Sequence, residues 1–280
     1  MRTIKQLFDF YINASIHVAL AVYALSWITL RHFNISYDET VLYFIFYATI
    51  TGYNFVKYFG IAKFHHRSLT DTLKVIQLFS LLCFLLLCYY AVQLPFKTLT
   101  YIAGFGVITL LYAIPFIPKR FYLDSQQNLR DVSGLKVYVI ALVWTGVTVF
   151  LPLINNDFEW NTAVYVTAFQ RFVLVVVLML PFEIRDLKYD SLRLSTIPQK
   201  IGVKRTKIIG VVLLMLFFFS EFLKDEFIGS QLIERLVVLL VTLLFVLFSN
   251  KERSAYYSSF FVEGIPILWL FIVLLCEFLI

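Results

Sequence analysis

Apolar runs of about 18 to 22 residues recur along the whole chain, each close to one bilayer crossing by a helix. They predict nine spanning helices at roughly 11–30, 40–59, 74–94, 99–117, 136–154, 162–181, 207–223, 231–248 and 262–280. A transmembrane barrel would instead show alternating segments of about ten residues. Pro115, Pro118 and Pro181 fall near span ends, where a missing backbone donor costs little. Pro266 falls in the first turn of the last span, which is also tolerated. The expected fold is all-α and integral to the membrane: one polytopic domain over residues 1–280, with no soluble domain and no long linker.

Composition agrees with the pattern. Of the 280 residues, 60% are hydrophobic and 15% charged, with a mean hydropathy of +0.82. Soluble domains average about 45–50% apolar. The start, "MRTIKQLFDFYINASIHVALAVYAL", is basic, but its apolar part is long for a signal peptide and lacks a small-residue cleavage site. The first helix is expected to stay. Cys83, Cys88 and Cys276 all lie in apolar runs and read as packed thiols, with no metal spacing or disulfide.

Charge sets an orientation. With the N-terminus in the cytoplasm, nineteen of the 24 Lys and Arg residues fall on that side, four on the other, and Arg171 within a span. The C-terminus is then outside. In a bacterium the membrane would be the plasma (inner) membrane. Topology explains much of the net charge of +6, and no nucleic-acid motif or partner is indicated. The cytoplasmic loops 55–73, 118–135 and 182–206 are longer and more polar than the outer ones, so chemistry is expected there.

In "PFEIRDLKYD", residues 181–190, a helix would place Glu183, Asp186 and Asp190 at about 0°, 300° and 340°. Like charges at i,i+4 destabilise a bare helix by a few tenths of a kcal/mol, so something must offset them. Two explanations are open. One is a solvated network with Arg185, Lys188 and Arg193. The other is Mg²⁺, which takes one or two carboxylates together with phosphate oxygens and retained waters.

The stretch "EIRDLKYDSLRLSTIPQKIGVKRTK" resembles the second aspartate-rich motif of the UbiA superfamily of intramembrane prenyltransferases: an acid, then DxxxD, then Thr196, Ile197, Pro198 and Gly202 leading into the next helix. "LYAIPFIPKR…LRDVSGLKVYVIALVWTGVTVFLP" resembles the stretch joining that family's fourth and fifth helices. The resemblance implies a nine-transmembrane-helix bundle that holds a prenyl diphosphate, its chain in an apolar tunnel and its diphosphate bridged by one or two Mg²⁺ at the cytoplasmic face. It implies Asp186 and Asp190 as metal ligands, with Glu183 supporting them. Some of the 30 Phe and 17 Tyr would line the tunnel; lipid-facing or interfacial packing accounts for most of them.

The family's first motif, NDxxD, is degenerate. Asn54 aligns with the family Asn, but Phe55 and Tyr58 stand where its aspartates would be, and Lys57 lies between them. No carboxylate occurs between Glu39 and Asp71. Two readings follow. In one, the protein is an enzyme in which Asn54 and Lys57, with Lys63, His65, His66 and Arg67, contact phosphate directly. In the other, a catalytically silent UbiA-fold protein binds a lipid or a partner membrane protein. For Lys57, Lys63 and Arg67, plain positive-inside topology is the simpler account.

Asn13 resembles an Asn early in the family's first helix, and His17 would share its face at i,i+4. An interhelical hydrogen bond is the alternative for both. Lys119 and Lys136 flank the 118–135 loop, where the resemblance implies cations approaching the diphosphate. Arg171, inside a span, is expected to face the bundle interior or a cavity. Glu221, Glu263 and Glu277 sit near span ends and are expected at the interface. The function expected is prenyl transfer from a Mg²⁺-bound diphosphate to an unidentified acceptor. A transporter fits less well, since no inverted repeat of broken helices is evident.

Overall fold

The computed structural model describes residues 2–64, 71–113, 135–188, 196–225 and 228–279, and all regular structure among them is helical. The helices are α1 (Arg2–Asn13), α2 (Ile16–His32), α3 (Glu39–Phe64), α4 (Asp71–Ala91), α5 (Phe96–Ala113), α6 (Leu135–Thr145), α7 (Leu151–Asn155), α8 (Thr162–Asp186), α9 (Ile197–Phe219), α10 (Gly229–Leu247) and α11 (Ile265–Leu279). A π-helical turn, Gly146–Phe150, joins α6 to α7, and a second, Tyr257–Val262, precedes α11. Six stretches are long and apolar enough to cross a membrane, and the bent pair α1–α2 makes a seventh. The expected nine crossings are therefore not reached among the described residues. In α3, Tyr43, Tyr47, Tyr53, Asn54 and Lys57 dilute the apolar run.

Helix α2 packs into the core against three others. Val18, Leu25 and Ile28 of α2 are buried against Leu42 and Ile45 of α3, Leu174 and Val176 of α8, and Trp269 of α11. By contrast α4 is peripheral, with Leu78, Leu81 and Leu85 more than half exposed. In a bilayer that face meets lipid, which is as apolar as leucine and needs no cover.

The interruptions have local causes. Ser15, at φ 62°, breaks the first span and bends its axis by 56°. The i,i+4 relation expected between Asn13 and His17 is thereby lost. Gly146 opens the first π turn, where a Cβ would come within 2.2 Å of the Phe105 ring, so only glycine admits that approach. The segment Thr196–Gly202 starts α9 about ten residues before the predicted span. Gln199 Oε1 accepts from the Thr196 N–H at 3.0 Å, and Pro198 sits in the first turn, where its missing donor is harmless. Gly202 then kinks α9 at φ 81°.

At the end of the bundle opposite the aspartate motif lies a buried ionic cluster. Glu221 was expected at an interface, yet it is 2% exposed. Its Oε2 meets Arg235 Nε at 2.9 Å, Lys224 Nζ at 3.1 Å and Gln170 Nε2 at 2.9 Å. Next to it, His32 Nε2 meets Glu234 Oε2 at 2.9 Å. Arg171 is buried, donates to Thr29 Oγ1 at 3.3 Å and lies 5.5 Å over the Trp269 ring. The cluster ties α2, α8, α10 and α11 through partners that lipid cannot supply. Near the membrane edge, Arg31 makes a two-pronged pair with Glu277.

Two predictions follow from this architecture. Alanine at residue 202 must adopt a left-handed backbone, so Gly202→Ala should cost about 1–2 kcal/mol, read as a lower unfolding temperature in detergent. Burial, reinforced by the Arg235 charge and opposed by Glu221, holds the Lys224 ammonium down to about 8 against an ordinary 10.5. Between those values the unfolded chain binds more protons than the folded one, so stability should rise from pH 8 to pH 10. Unfolding measured at both pH values should show that rise in the wild type and a smaller one in Lys224→Met.

Candidate functional site at the motif end

The α8 helix ends at Asp186, and Asp190 lies outside the described residues, as do Arg67, His65, His66, Lys119 and the Lys63 side chain. Pro181, expected near the end of the span, is inside the helix, which runs on to carry both acids. Glu183 is 2% exposed, and Lys136 Nζ of α6 stands 3.8 Å from its Oε1. Asp186 is half-buried. Its Oδ1 accepts from Arg185 Nε at 2.8 Å, with Arg185 Nη2 at 2.6 Å. Arg185 also donates to the Ala255 carbonyl at 3.3 Å and lies over the Phe182 ring. Each described acid thus meets a cation: Asp186 meets Arg185, which the first explanation names, while the buried Glu183 faces Lys136, which lies outside that set.

The degenerate first motif folds against the break between α1 and α2. Ser15 Oγ donates to Asn54 Oδ1 at 2.8 Å and stands 2.8 Å from Lys57 Nζ, which donates to it. Asn54 Nδ2 donates to the Ala14 carbonyl at 3.1 Å and to Ser80 Oγ of α4 at 2.8 Å. Tyr58 donates to the Asn13 carbonyl at 3.0 Å. The side chain of Asn13 is exposed. Asn54 is therefore a buried clasp among α2, α3 and α4, with both ends of its amide engaged. His17 is also committed: Tyr11 Oη is 2.7 Å from its Nδ1, and its Nε2 is 2.8 Å from the Phe260 carbonyl. The second contact requires the proton on Nε2, so Tyr11 donates to Nδ1.

Glu263 is a second acid, after Glu221, that was expected at an interface. It follows the second π turn and lies within electrostatic reach of Lys57, Arg185 and Tyr11. The signal that could have found it is a lone carboxylate at the head of an otherwise apolar run, a pattern that marks a partnered charge. One end of the bundle thus brings together Lys57, Lys136, Arg185, Glu183, Asp186 and Glu263.

Among the described residues, no three His, Cys, Asp or Glu side chains cluster closely enough to hold a metal. Asp186 already has an oxygen committed to Arg185. The described donors do not by themselves fit Mg²⁺.

No protein-family model and no curated protein matches the chain. A solved structure described as digeranylgeranylglyceryl phosphate synthase in membranes does match, over 98% of both chains, with a TM-score of 0.57 and 14% identity. The chain shares the fold of that synthase. At that identity the likeness is one of architecture. Phe55 and Tyr58 stand where the resemblance leads one to expect an aspartate pair, and the polar contacts at the break come from Asn54, Lys57 and Ser15.

The clasp makes a clear demand. Asn54→Ala leaves the buried Ala14 carbonyl and Ser15 hydroxyl short of partners, at about 1–3 kcal/mol for such a group. Unfolding of the ligand-free protein should therefore shift down. A residue that served only a substrate would leave that temperature unchanged.

Proposed function

We propose that this protein transfers a prenyl group from a prenyl diphosphate to an acceptor at the cytoplasmic end of the bundle, as a UbiA-like membrane prenyltransferase. The observation that carries the reading is the agreement of fold along 98% of both chains with a membrane prenyltransferase. The motif-end residues supply what the chemistry needs. The allylic C–O bond breaks, its electron pair leaves with the diphosphate, and the acceptor bonds to the same carbon and loses a proton. Negative charge grows on the leaving diphosphate, and fixed cations placed there stabilise it. Lys57 and Lys136 are the proposed diphosphate contacts, with Lys63, Arg67 and Lys119 joining them and Arg185 nearby. Asn54 and Ser15 hold Lys57, Glu183 holds Lys136, and Asn13 lies beside the donor. The Mg²⁺ expected at Asp186 and Asp190 is left out of the proposal, because Asp186 is already held by Arg185. The N-terminus faces the cytoplasm and the C-terminus the opposite side, following the basic residues.

A second reading rests on a specific observation: the amide of Asn54 is engaged within the fold. In that reading the bundle binds a lipid or a partner membrane protein and performs no transfer.

Thermal unfolding in detergent with geranylgeranyl diphosphate, with and without Mg²⁺, separates them. At about 100 times its dissociation constant the ligand should add about 2.7 kcal/mol. We expect stabilisation that Lys57→Met and Lys136→Met weaken and that Mg²⁺ leaves unchanged. Stabilisation that needs Mg²⁺ and is lost in Asp186→Asn would reject the cations and restore the metal. No response from well-folded protein would overturn the prenyl-donor reading.

A further inference from the structure

Arg171 lies inside the candidate span Thr162–Asp186 and is 2% exposed, yet no carboxylate pairs with it among the described residues. Glu221 is taken by Arg235 and Lys224, Glu234 by His32, and Glu277 by Arg31. The side chains within electrostatic reach of Arg171 are basic: Arg235, Lys224 and His32. Arg171, Lys224 and Arg235 stand against Glu221 and Glu234, so the cluster carries one positive charge in excess even with His32 neutral. We propose that a small monovalent anion, of the size of chloride, binds beside Arg171 and balances that charge. The site stands about 18 Å along α8 from Glu183. It does not rest on the prenyl-transfer reading.

The donors left open agree with the charge. Arg171 Nη2 donates to Thr29 Oγ1 at 3.3 Å, and the guanidinium lies over the Trp269 ring. Its Nη1 has no hydrogen bond among the described residues, and neither have the hydroxyls of Thr148 and Thr167. All three side chains are buried. Thr167 stands one turn before Arg171 on the same face of α8. Thr148 belongs to the first π turn, and its carbonyl accepts at 2.7 Å from Thr29 Oγ1, the same hydroxyl that Arg171 reaches. The next residue, Val149, packs with Val164 and Ala168 of α8. A guanidinium nitrogen and two hydroxyls on adjoining segments are donors of the kind that an anion accepts from. A π turn within a helix is also a frequent mark of a functional site.

Charge decides between an anion and a water. A buried water would satisfy the open donors but leave the excess charge inside a span. Stacking on Trp269 offsets only part of the cost of a buried ion. A dianion would overshoot the balance by one charge. Chloride needs little more room than a water molecule, about 30 Å³.

The test uses the full-length protein in detergent, dialysed from chloride into sodium gluconate, whose anion is too bulky for such a site. Chloride is titrated at constant ionic strength while thermal unfolding is followed. We expect the unfolding temperature to rise and saturate. Half-saturation should move to about tenfold more chloride in Thr148→Val, and the saturating rise should vanish in Arg171→Met. A second measurement needs no change at Arg171. Bromide, close to chloride in size, should quench part of the tryptophan fluorescence saturably, and chloride should relieve that quenching. Trp269→Phe should abolish it, since Trp269 lies 5.5 Å from the guanidinium. Equal unfolding in the two anions, together with bromide quenching that never saturates, would overturn the proposal. So would a saturating chloride effect undiminished in folded Arg171→Met protein.

Discussion

The structure depends on how the first span is broken. Ser15 turns the backbone left-handed, and the Ala14 carbonyl loses its helical partner where lipid offers no replacement. Asn54 supplies the missing donor, accepts from Ser15 and reaches Ser80 on α4. Lys57 closes the same knot through Ser15. One bend thereby fixes the relation of three helices and delivers a cation to the motif end. In the family the corresponding Asn stands beside two aspartates. Here Asn54 stands without a neighbouring carboxylate, which a clasp permits and a metal clamp does not.

The opposite end is held by a different device. Glu221, Arg235, Lys224 and Gln170 form a buried set in which one carboxylate serves three donors. Removing one member of such a set leaves an uncompensated charge, which is far more costly than replacing the set by apolar residues. Its worth is in fixing the geometry of α8 relative to α10 and to the end of α9, since the apolar faces of these helices would pack about as well in several registers. Since α8 also carries Glu183 and Asp186, the cluster at one end helps to set where the acids stand at the other.

Much of this was legible in the sequence. Apolar run length gave the membrane class, whereas the span was expected from 207 and α9 begins at Ile197, where a cap and a proline start a helix before the apolar run does. The break at Ser15 was not legible: serine in a left-handed conformation is a tertiary outcome, held by Asn54 from 39 residues away. For the same reason Asn13 and His17 were wrongly placed on one face. Glu221 and Glu263 were assigned to interfaces because their partners are distant in sequence: Arg235 and Gln170 for one, Lys57 and Arg185 for the other. Hydropathy sees a charge near a span end and cannot see a partner on another helix.

The acidic stretch was the most ambiguous signal, and its two described acids lie beside cations. Glu183 faces Lys136, Asp186 faces Arg185, and Glu263 sits in reach of Lys57 and Arg185. An acid already held by a neighbouring cation is a poor metal ligand, because the ion must displace a charged hydrogen bond before it gains a new one. The same pairing makes each cation a fixed charge rather than a mobile one. A diphosphate arriving at this end would meet ammonium and guanidinium groups already oriented, with no reorganisation to make as its charge develops. In a chain with Phe55 and Tyr58 where the resemblance leads one to expect aspartates, the proposed diphosphate contacts are therefore preorganised cations, with the carboxylates holding them.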